Sequence, residues 1–80
     1  HSSIYFSCMS SDILRKFANK LKVIRNQRNL SQEDLALLCD IDRTYIGRIE
    51  RCLRNPSLEI LNKIADGLKI KLKDLLDFDN

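Results

Sequence analysis

The stretch LSQEDLALLCDIDRTYIGRIE, residues 30–50, predicts two short amphipathic helices joined by a tight turn. Ser31 precedes Asp34 by three residues, a capping-box spacing in which each side chain satisfies a free amide of the first helical turn. Asp42 is placed to cap the second helix in the same way. One apolar face per helix follows, comprising Leu35, Ala36 and Cys39 on the first and Tyr45, Ile46 and Ile49 on the second. Residues 31–50 therefore predict a helix-turn-helix, whose second helix is suited to the DNA major groove.

The residues before this motif predict one further helix. From Asp12 onward apolar residues recur at helical spacing, and residues 26–29 are expected to end the helix before Leu30 packs inward. This first stripe comprises Leu14, Phe17, Leu21 and Ile24. Residues 1–10 lack that periodicity and carry no charged side chain apart from His1. We interpret 1–10 as an upstream extension or an artificial remnant, with Met9 as the expected native start.

Two more helices are expected after the motif. Asn55 or Ser57 can cap a fourth helix, with Pro56 in its first turn. Its apolar stripe comprises Leu58, Leu61, Ile64, Ala65 and Leu68. A short fifth helix is expected over 71–78. No segment alternates like a strand, so the sequence predicts an all-α domain of five helices over 11–80.

The composition favours a binding module over an enzyme. Eighty residues make one small domain, and 44% hydrophobic with 31% charged residues is ordinary for a globular protein. The single histidine is terminal and only two glycines are present, which leaves no basis for a catalytic triad or a glycine-rich phosphate loop. No apolar run has the length of a membrane span, and no signal peptide is evident. We therefore expect no catalytic activity, no cofactor and no membrane association.

The cysteines predict free thiols. Cys8, Cys39 and Cys52 are odd in number and lack the CxxC spacing of a metal site. This usage is typical of a reduced, cytoplasmic protein, so we expect no metal and no internal disulfide. Cys39 is expected to pack on the core face of its helix as a small hydrophobic residue.

The net charge of the chain is concentrated in one segment. Residues 43–54 contain four arginines and one acid, which accounts for the whole net charge of +3. A solvated helix face is the ordinary explanation of such a run. Here the run coincides with the helix expected to face DNA, which favours an electrostatic role toward a polyanion.

A helical wheel over 43–50 separates a core face from an outward face. The outward residues, which we predict to read bases, are Arg43, Thr44, Gly47 and Arg48. Arginine can donate two hydrogen bonds to one guanine, and a threonine methyl or hydroxyl can contact thymine or a phosphate. Gly47 would let the backbone approach the bases closely, although a neutral surface glycine is the alternative.

Four further residues are assigned from their positions. Tyr45 borders the core, so a half-buried ring with its hydroxyl at a phosphate is expected. Gln32 begins the first helix of the motif and can hold a phosphate there, or act only as an exposed helix-starting residue. Arg25 and Glu50 each lie at the edge of an apolar stripe, which predicts a structural ion pair.

Residues 21–76 resemble the helix-turn-helix family of the Xre, Cro and phage repressor proteins. The resemblance is carried by LSQEDLA at 30–36, DRTYI and RIER within 42–51, and RNPSLEIL at 54–61 with the DLL tail. In a chain of this length, DRTYI followed by IER is similar to the controller proteins of bacterial restriction–modification systems. The resemblance implies a five-helix, lambda-repressor-like DNA-binding domain acting as a homodimer.

Carried over by position, the resemblance implies site residues that agree with those assigned above. The base-reading positions fall on Arg43, Thr44, Gly47 and Arg48, and the ion pair falls on Arg25 and Glu50. The implied phosphate contacts are Gln32, Tyr45, Arg51, Arg54 and Asn55. The implied dimer helix, residues 71–78, carries Leu72, Leu75, Leu76 and Phe78, which are more apolar groups than a short terminal helix can hide alone.

The chain also departs from the family pattern. Asp40 occupies a turn position usually held by glycine and is expected to adopt the left-handed conformation at some cost. Leu37, Leu38 and Leu53 replace residues that are usually polar. Such exposed apolar surface predicts an additional contact, either with the N-terminal extension or with another chain.

These observations predict a cytoplasmic, sequence-specific transcriptional regulator that binds a two-fold symmetric operator as a homodimer. A restriction–modification controller is the first interpretation. A solitary Xre-type repressor of a phage, plasmid or antitoxin locus is the alternative, as is a DNA-binding module of a larger enzyme such as a cytosine methyltransferase. The implied partners are double-stranded DNA and a second copy of the chain, with RNA polymerase as a further candidate.

Overall fold

The structure, a computed structural model, describes residues 11–78 and consists there of helices and their connections. The predicted extension over 1–10, with Cys8 and Met9, lies outside the described residues. The helices in chain order are α1 (Asp12–Gln27), α2 (Gln32–Cys39), α3 (Arg43–Glu50), α4 (Leu58–Leu68) and α5 (Leu72–Leu75). The all-α fold with five helices is confirmed.

Three serines begin three of these helices. Each side chain of Ser11, Ser31 and Ser57 accepts a hydrogen bond from the backbone amide three residues later, at 3.0–3.2 Å. At Ser31 the predicted capping box is complete, because Asp34 also accepts from the Ser31 amide at 3.0 Å. These hydrogen bonds hold the pKa of the Asp34 carboxyl below its usual value.

Four residues that follow helices α1 to α4 adopt the left-handed backbone conformation, and none of these four is glycine. Positive φ angles of 57–63° occur at Asn29, Asp40, Cys52 and Lys69. The predicted left-handed Asp40 is therefore confirmed. After it, the Ile41 amide bonds back to the Ala36 carbonyl at 3.0 Å, which closes the turn between α2 and α3.

The core lies between the helix-turn-helix and the two helices that flank it in sequence. α2 packs against α3 and α4, α1 packs against α3, and α5 packs against α4. The largest fully buried side chains are Leu21, Leu35, Ile46, Ile49, Ile64, Leu68 and Leu75. Burial of an aliphatic side chain stabilises by about 1.5–3 kcal/mol, so this cluster fixes α3 with its polar face outward.

Several local expectations are corrected. Asp42 is the residue before α3, but its side chain makes no capping hydrogen bond. Pro56 precedes the capping residue Ser57 and does not lie in the first turn of α4. The fifth helix is one turn, Leu72–Leu75, and does not extend over 71–78. Leu58, assigned to the apolar stripe of α4, is 70% exposed because it is the first residue of the helix.

Candidate nucleic-acid interface

The outward face of α3 carries three of the four predicted base-reading residues. Arg43, Thr44 and Arg48 are exposed, whereas Ile46 and Ile49 anchor the opposite face of the helix in the core. Thr44 lies between two surface hollows. One hollow is lined by Gln32, Arg43, Thr44, Gly47 and Arg51, and the other by Asp42, Thr44, Tyr45, Arg48 and Arg54.

The exposed charge of residues 43–54 is entirely positive. Glu50 is the one acid in this segment, and it is only 4% exposed. Its carboxylate accepts hydrogen bonds from the Arg25 guanidinium at 2.7 and 3.0 Å, which confirms the predicted ion pair. Arg43, Arg48, Arg51 and Arg54 remain exposed at the surface. Burying the single acid thus leaves a basic face around α3, which suits a polyanion.

Gly47 does not have the open position that the wheel predicted. It is buried at the floor of the first hollow, beneath the side chain of Gln32. A Cβ at position 47 would lie 3.4 Å from Gln32 Oε1, an ordinary van der Waals contact. The helical wheel misplaced Gly47 because a side chain from α2 crosses this part of α3.

Gln32 is half-buried and is held by the buried carboxylate. Its Nε2 donates to Glu50 Oε1 at 3.0 Å, so one of its two amide protons is already used within the protein. Gln32 can still donate its second amide proton to an anion. The free backbone amides at the start of α2 can donate to the same anion.

Tyr45 and Arg54 form a contact that the sequence did not indicate. Tyr45 is half-buried, as predicted, and the Arg54 guanidinium carbon lies 5.0 Å from the centre of its ring. Stacking of this kind orients an arginine that would otherwise sample many rotamers. Arg54, from the loop after α3, is thereby held beside Arg48 at the second hollow.

Asn55 lies apart from both basic hollows. It lines an apolar hollow at the N-terminal turn of α1, together with Ile13, Leu14, Phe17, Pro56, Leu61 and Leu76. Ile13 is 62% exposed at this place. Ile13 does not belong to the apolar stripe of α1 that begins at Leu14. An apolar residue outside that stripe is the sequence signal that could have indicated this surface.

The four predicted dimer residues do not form one surface. Leu75 is fully buried within the chain, so its assignment to an interface is wrong. Leu76 lines the apolar hollow just described, whereas Phe78 lines a separate hollow with Lys16, Asn19, Lys20, Val23 and Asp77. Leu72 is half-buried against the core. The pattern could not show that α5 uses Leu75 to close its own core.

Cys39 and Cys52 are buried in the interior, and neither forms a disulfide within the described part of the chain. Burial raises the pKa of Cys39 to about 11. Over residues 11–78, no cluster of His, Cys, Asp and Glu side chains is arranged to hold a metal ion. In the same part of the chain, no helix combines the length and the apolar character needed to cross a membrane.

Two helices joined by a tight turn, with the second anchored in the core by one face and exposing arginines on the other, form a helix-turn-helix. The chain belongs to the helix-turn-helix family, whose model matches residues 21–75. It is 48% identical over 71 residues to the control protein C.BamHI of Bacillus amyloliquefaciens, a match that covers 88% of each chain.

Solved structures agree with this membership. The restriction–modification controller protein C.AhdI of Aeromonas hydrophila superposes with a TM-score of 0.75 at 44% identity, covering 78% of this chain and 94% of that one. The controller protein C.Esp1396I, solved as a tetramer with its natural 35-base-pair operator, superposes with a TM-score of 0.77 at 37% identity. That match covers 84% of this chain and 92% of C.Esp1396I.

Proposed function

We propose that this chain is a sequence-specific transcriptional regulator, the controller of a restriction–modification system, and that α3 enters the major groove of its operator. The observation that supports this proposal most directly is the basic face of residues 43–54. Its exposed charges are all positive because Glu50 is buried against Arg25. Similarity to C.BamHI and C.AhdI over most of their length supports the controller assignment. The protein is then a non-enzymatic, cytoplasmic DNA-binding factor, with RNA polymerase as a candidate partner.

Within this proposal, residues divide between reading bases and holding phosphates. Arg43 and Arg48 project from α3, so they can fork to guanine, and Thr44 between them can contact a thymine methyl. Gly47, at the floor of the first hollow, contributes space for a base or for Gln32. Arg51 and Arg54 follow α3 and would contact phosphates, as would Tyr45 and Gln32 at the edges of the two hollows. Asn55 lies outside both hollows, so it would contact the DNA backbone at a separate place on the surface.

We further propose that the chain acts as a homodimer through the apolar hollow that contains Ile13, Leu61 and Leu76. This hollow replaces the surface predicted from α5, of which it keeps Leu76. Two-fold pairing would place two copies of α3 on half-sites about 34 Å apart, one turn of DNA. The tetrameric complex of C.Esp1396I supports a further step, in which two such dimers occupy one operator.

Selection of DNA from a randomised duplex pool tests the central proposal. We expect a two-fold symmetric sequence with half-sites about one turn apart. Arg48→Ala should lose affinity for the selected site far more than for a scrambled duplex. Failure to enrich any sequence, or equal losses on both duplexes, would contradict sequence-specific recognition by α3.

The dimer surface is tested by sedimentation equilibrium. Ile13→Lys places a charge in the apolar hollow and should give a monomer, whereas the wild-type chain should be dimeric at tens of micromolar. Val23→Lys is the matched control, because Val23 is 52% exposed on the same helix but lies outside this hollow. A dimeric Ile13→Lys variant would place the interface elsewhere.

The genes beside the coding sequence distinguish the controller from its alternatives. An adjacent endonuclease and methyltransferase pair would support the controller. Phage or antitoxin genes in that place would favour a solitary repressor, and a continuous reading frame into a methyltransferase would indicate a module of a larger enzyme.

A further inference from the structure

The side-chain amide of Gln32 has a fixed orientation, which the buried carboxylate of Glu50 determines. Glu50 is paired with Arg25 and is therefore ionised, so its two oxygens can only accept hydrogen bonds. The amide has to present its nitrogen to this carboxylate, and Nε2 donates to Glu50 Oε1 at 3.0 Å. An amide turned the other way would place two acceptor oxygens against each other. The oxygen of the Gln32 amide is thus directed away from Glu50.

This amide oxygen lies over the glycine of α3. A Cβ at position 47 would lie 3.4 Å from Gln32 Oε1, so a longer side chain there would cover the oxygen. Within residues 11–78, the side chain of Gln32 makes the single hydrogen bond that Nε2 donates, so Oε1 keeps its capacity to accept. The absence of a side chain at Gly47 therefore leaves an oriented acceptor at the surface of α3.

The hollow that contains this oxygen is otherwise lined by donors. Arg43 and Arg51 line it from α3 and from the residue after α3, and both are exposed. A guanidinium donates and cannot accept, whereas the hydroxyl of Thr44 can do either. Among the side chains that line this hollow, Gln32 supplies the one oxygen that only accepts. A ligand that fits the hollow fully therefore carries a donor beside its acceptors.

The major-groove edge of DNA has this combination of groups. Guanine presents the two acceptors N7 and O6, and the cytosine paired with it presents the N4 amine as a donor. Adenine presents its N6 amine in the same groove. An arginine can bind the acceptors of guanine, but it cannot accept a hydrogen bond from a neighbouring amine. An amide oxygen beside that arginine can accept it, which adds information that the arginine cannot read.

We propose that Gln32 determines sequence specificity, because its Oε1 accepts a hydrogen bond from the exocyclic amine of a base beside the guanine that Arg43 contacts. The amine is cytosine N4 or adenine N6, which share this chemistry. The inference rests on the proposed function, in which α3 lies in the major groove. It adds a base contact at Oε1 to the phosphate contact proposed for the second proton of Nε2. The bond from Nε2 to Glu50 fixes which end of the amide faces the base.

The test removes the amine from the DNA and the acceptor from the protein, separately and together. In the site selected by this protein, a pyrimidinone without the amine replaces one cytosine at a time, and purine replaces one adenine at a time. At one position we expect the wild-type chain to bind the altered duplex about three- to tenfold more weakly, the effect of one hydrogen bond. Gln32→Met should bind the two duplexes equally at that position. Each analogue also weakens its own base pair, and the comparison of the two proteins on the same duplexes cancels this effect.

The two kinds of duplex identify the base. A response to the pyrimidinone assigns the contact to cytosine N4, and a response to purine assigns it to adenine N6. Gln27→Met is the matched control, because it makes the same exchange at an exposed residue that ends α1, and it should keep the wild-type response.

A second variant keeps the hydrogen bond to the buried carboxylate. The ammonium of Gln32→Lys can donate to Glu50 but provides no acceptor, so this variant should lose the response to the amine as Gln32→Met does. Thermal unfolding of both variants checks the fold. We expect it to be retained, because Arg25 still donates to both oxygens of Glu50.

Two results would overturn the proposal. If Gln32→Met and Gln32→Lys responded to every missing amine as the wild type does, Gln32 would contact only phosphate or support the fold. If these variants instead lost the response to deazaguanine, which lacks N7, and kept the response to the amines, Gln32 would act only by orienting Arg43. Failure of the wild-type chain to distinguish the selected site from a scrambled duplex would contradict the proposed function itself, so the two failures are distinguishable.

Discussion

The Arg25 guanidinium holds the Glu50 carboxylate through both carboxylate oxygens, from Nε at 2.7 Å and from Nη2 at 3.0 Å. The same guanidinium donates through Nη1 to the Leu30 carbonyl at 2.8 Å, and Gln32 donates to the carboxylate at 3.0 Å. The group therefore joins the end of α1, the start of α2 and the end of α3. Because it joins both helices of the motif, it fixes the direction in which α3 projects.

Breaking this pair from one side should cost more than removing it from both. Arg25→Ala leaves the carboxylate of Glu50 buried without its cation, a change that costs about 3–5 kcal/mol in comparable pairs. The double variant Arg25→Met/Glu50→Met removes both charges, so it should recover much of that loss. Urea unfolding of the single and double variants measures the coupling. A cost below about 1 kcal/mol for Arg25→Ala would contradict a buried, energetically coupled pair.

The two glycines should respond oppositely to the same substitution. At Gly67 a Cβ would lie 2.6 Å from Cys39 Sγ and 2.9 Å from both Cys39 Cα and the Leu38 carbonyl oxygen. Two of these three neighbours are backbone atoms, so Gly67→Ala should destabilise the protein by about 1–3 kcal/mol by forcing α4 away from α2.

Gly47→Ala is the matched control. Its Cβ would meet only the Gln32 side chain at 3.4 Å, so the better helix propensity of alanine should stabilise α3 by up to about 1 kcal/mol. Thermal unfolding of both variants checks the pair. Equal shifts of Tm in the same direction would contradict the packing described for Gly67.

The sequence predicted the features whose cause is local. The capping box of Ser31 and Asp34 depends on residues three apart. The left-handed Asp40 was implied by the family resemblance, in which this turn position is usually held by glycine. The Arg25–Glu50 pair was predictable for another reason, because a charge on an apolar stripe needs a partner and only a few are in reach.

The features that sequence reasoning missed depend on how separate helices meet. Gln32 covers Gly47 from a neighbouring helix, which a wheel of α3 alone cannot show. Leu75 packs into the core of its own chain, and an apolar pattern does not distinguish this from a partner surface. The close approach of α4 to α2 at Gly67 also had no signal beyond the glycine itself.

The thiol of Cys39 should make stability fall at alkaline pH. Burial raises its pKa to about 11, from an ordinary value of 9.0 for a cysteine thiol. The folded state therefore favours the neutral thiol, and the resulting stability is full below pH 9 and is lost as the pH rises through about 11. Unfolding free energies of the wild type and of Cys39→Ala, measured from pH 8 to pH 11, should converge with rising pH. Parallel curves would show that Cys39 ionises equally in both states.

The arginines of the basic face should separate into two groups by their effect on specificity. Arg43→Ala or Arg48→Ala should each cost about 1–3 kcal/mol on the selected site and little on a scrambled duplex, because a guanine fork is lost only where guanine is present. Arg51→Ala and Arg54→Ala should weaken both duplexes alike, and each should reduce the slope of log affinity against log salt by about one unit.

Tyr45→Leu adds a test of the Arg54 stacking. Without the ring beneath its guanidinium, 5.0 Å away in the wild type, Arg54 loses its fixed orientation and Tyr45→Leu should reproduce part of the Arg54→Ala loss on both duplexes. Binding isotherms on the selected and scrambled duplexes at several salt concentrations measure all five variants. If all four arginine variants lost the same affinity on both duplexes, the arginines would supply only a positive field. Base reading would then have to be assigned to another face of the molecule.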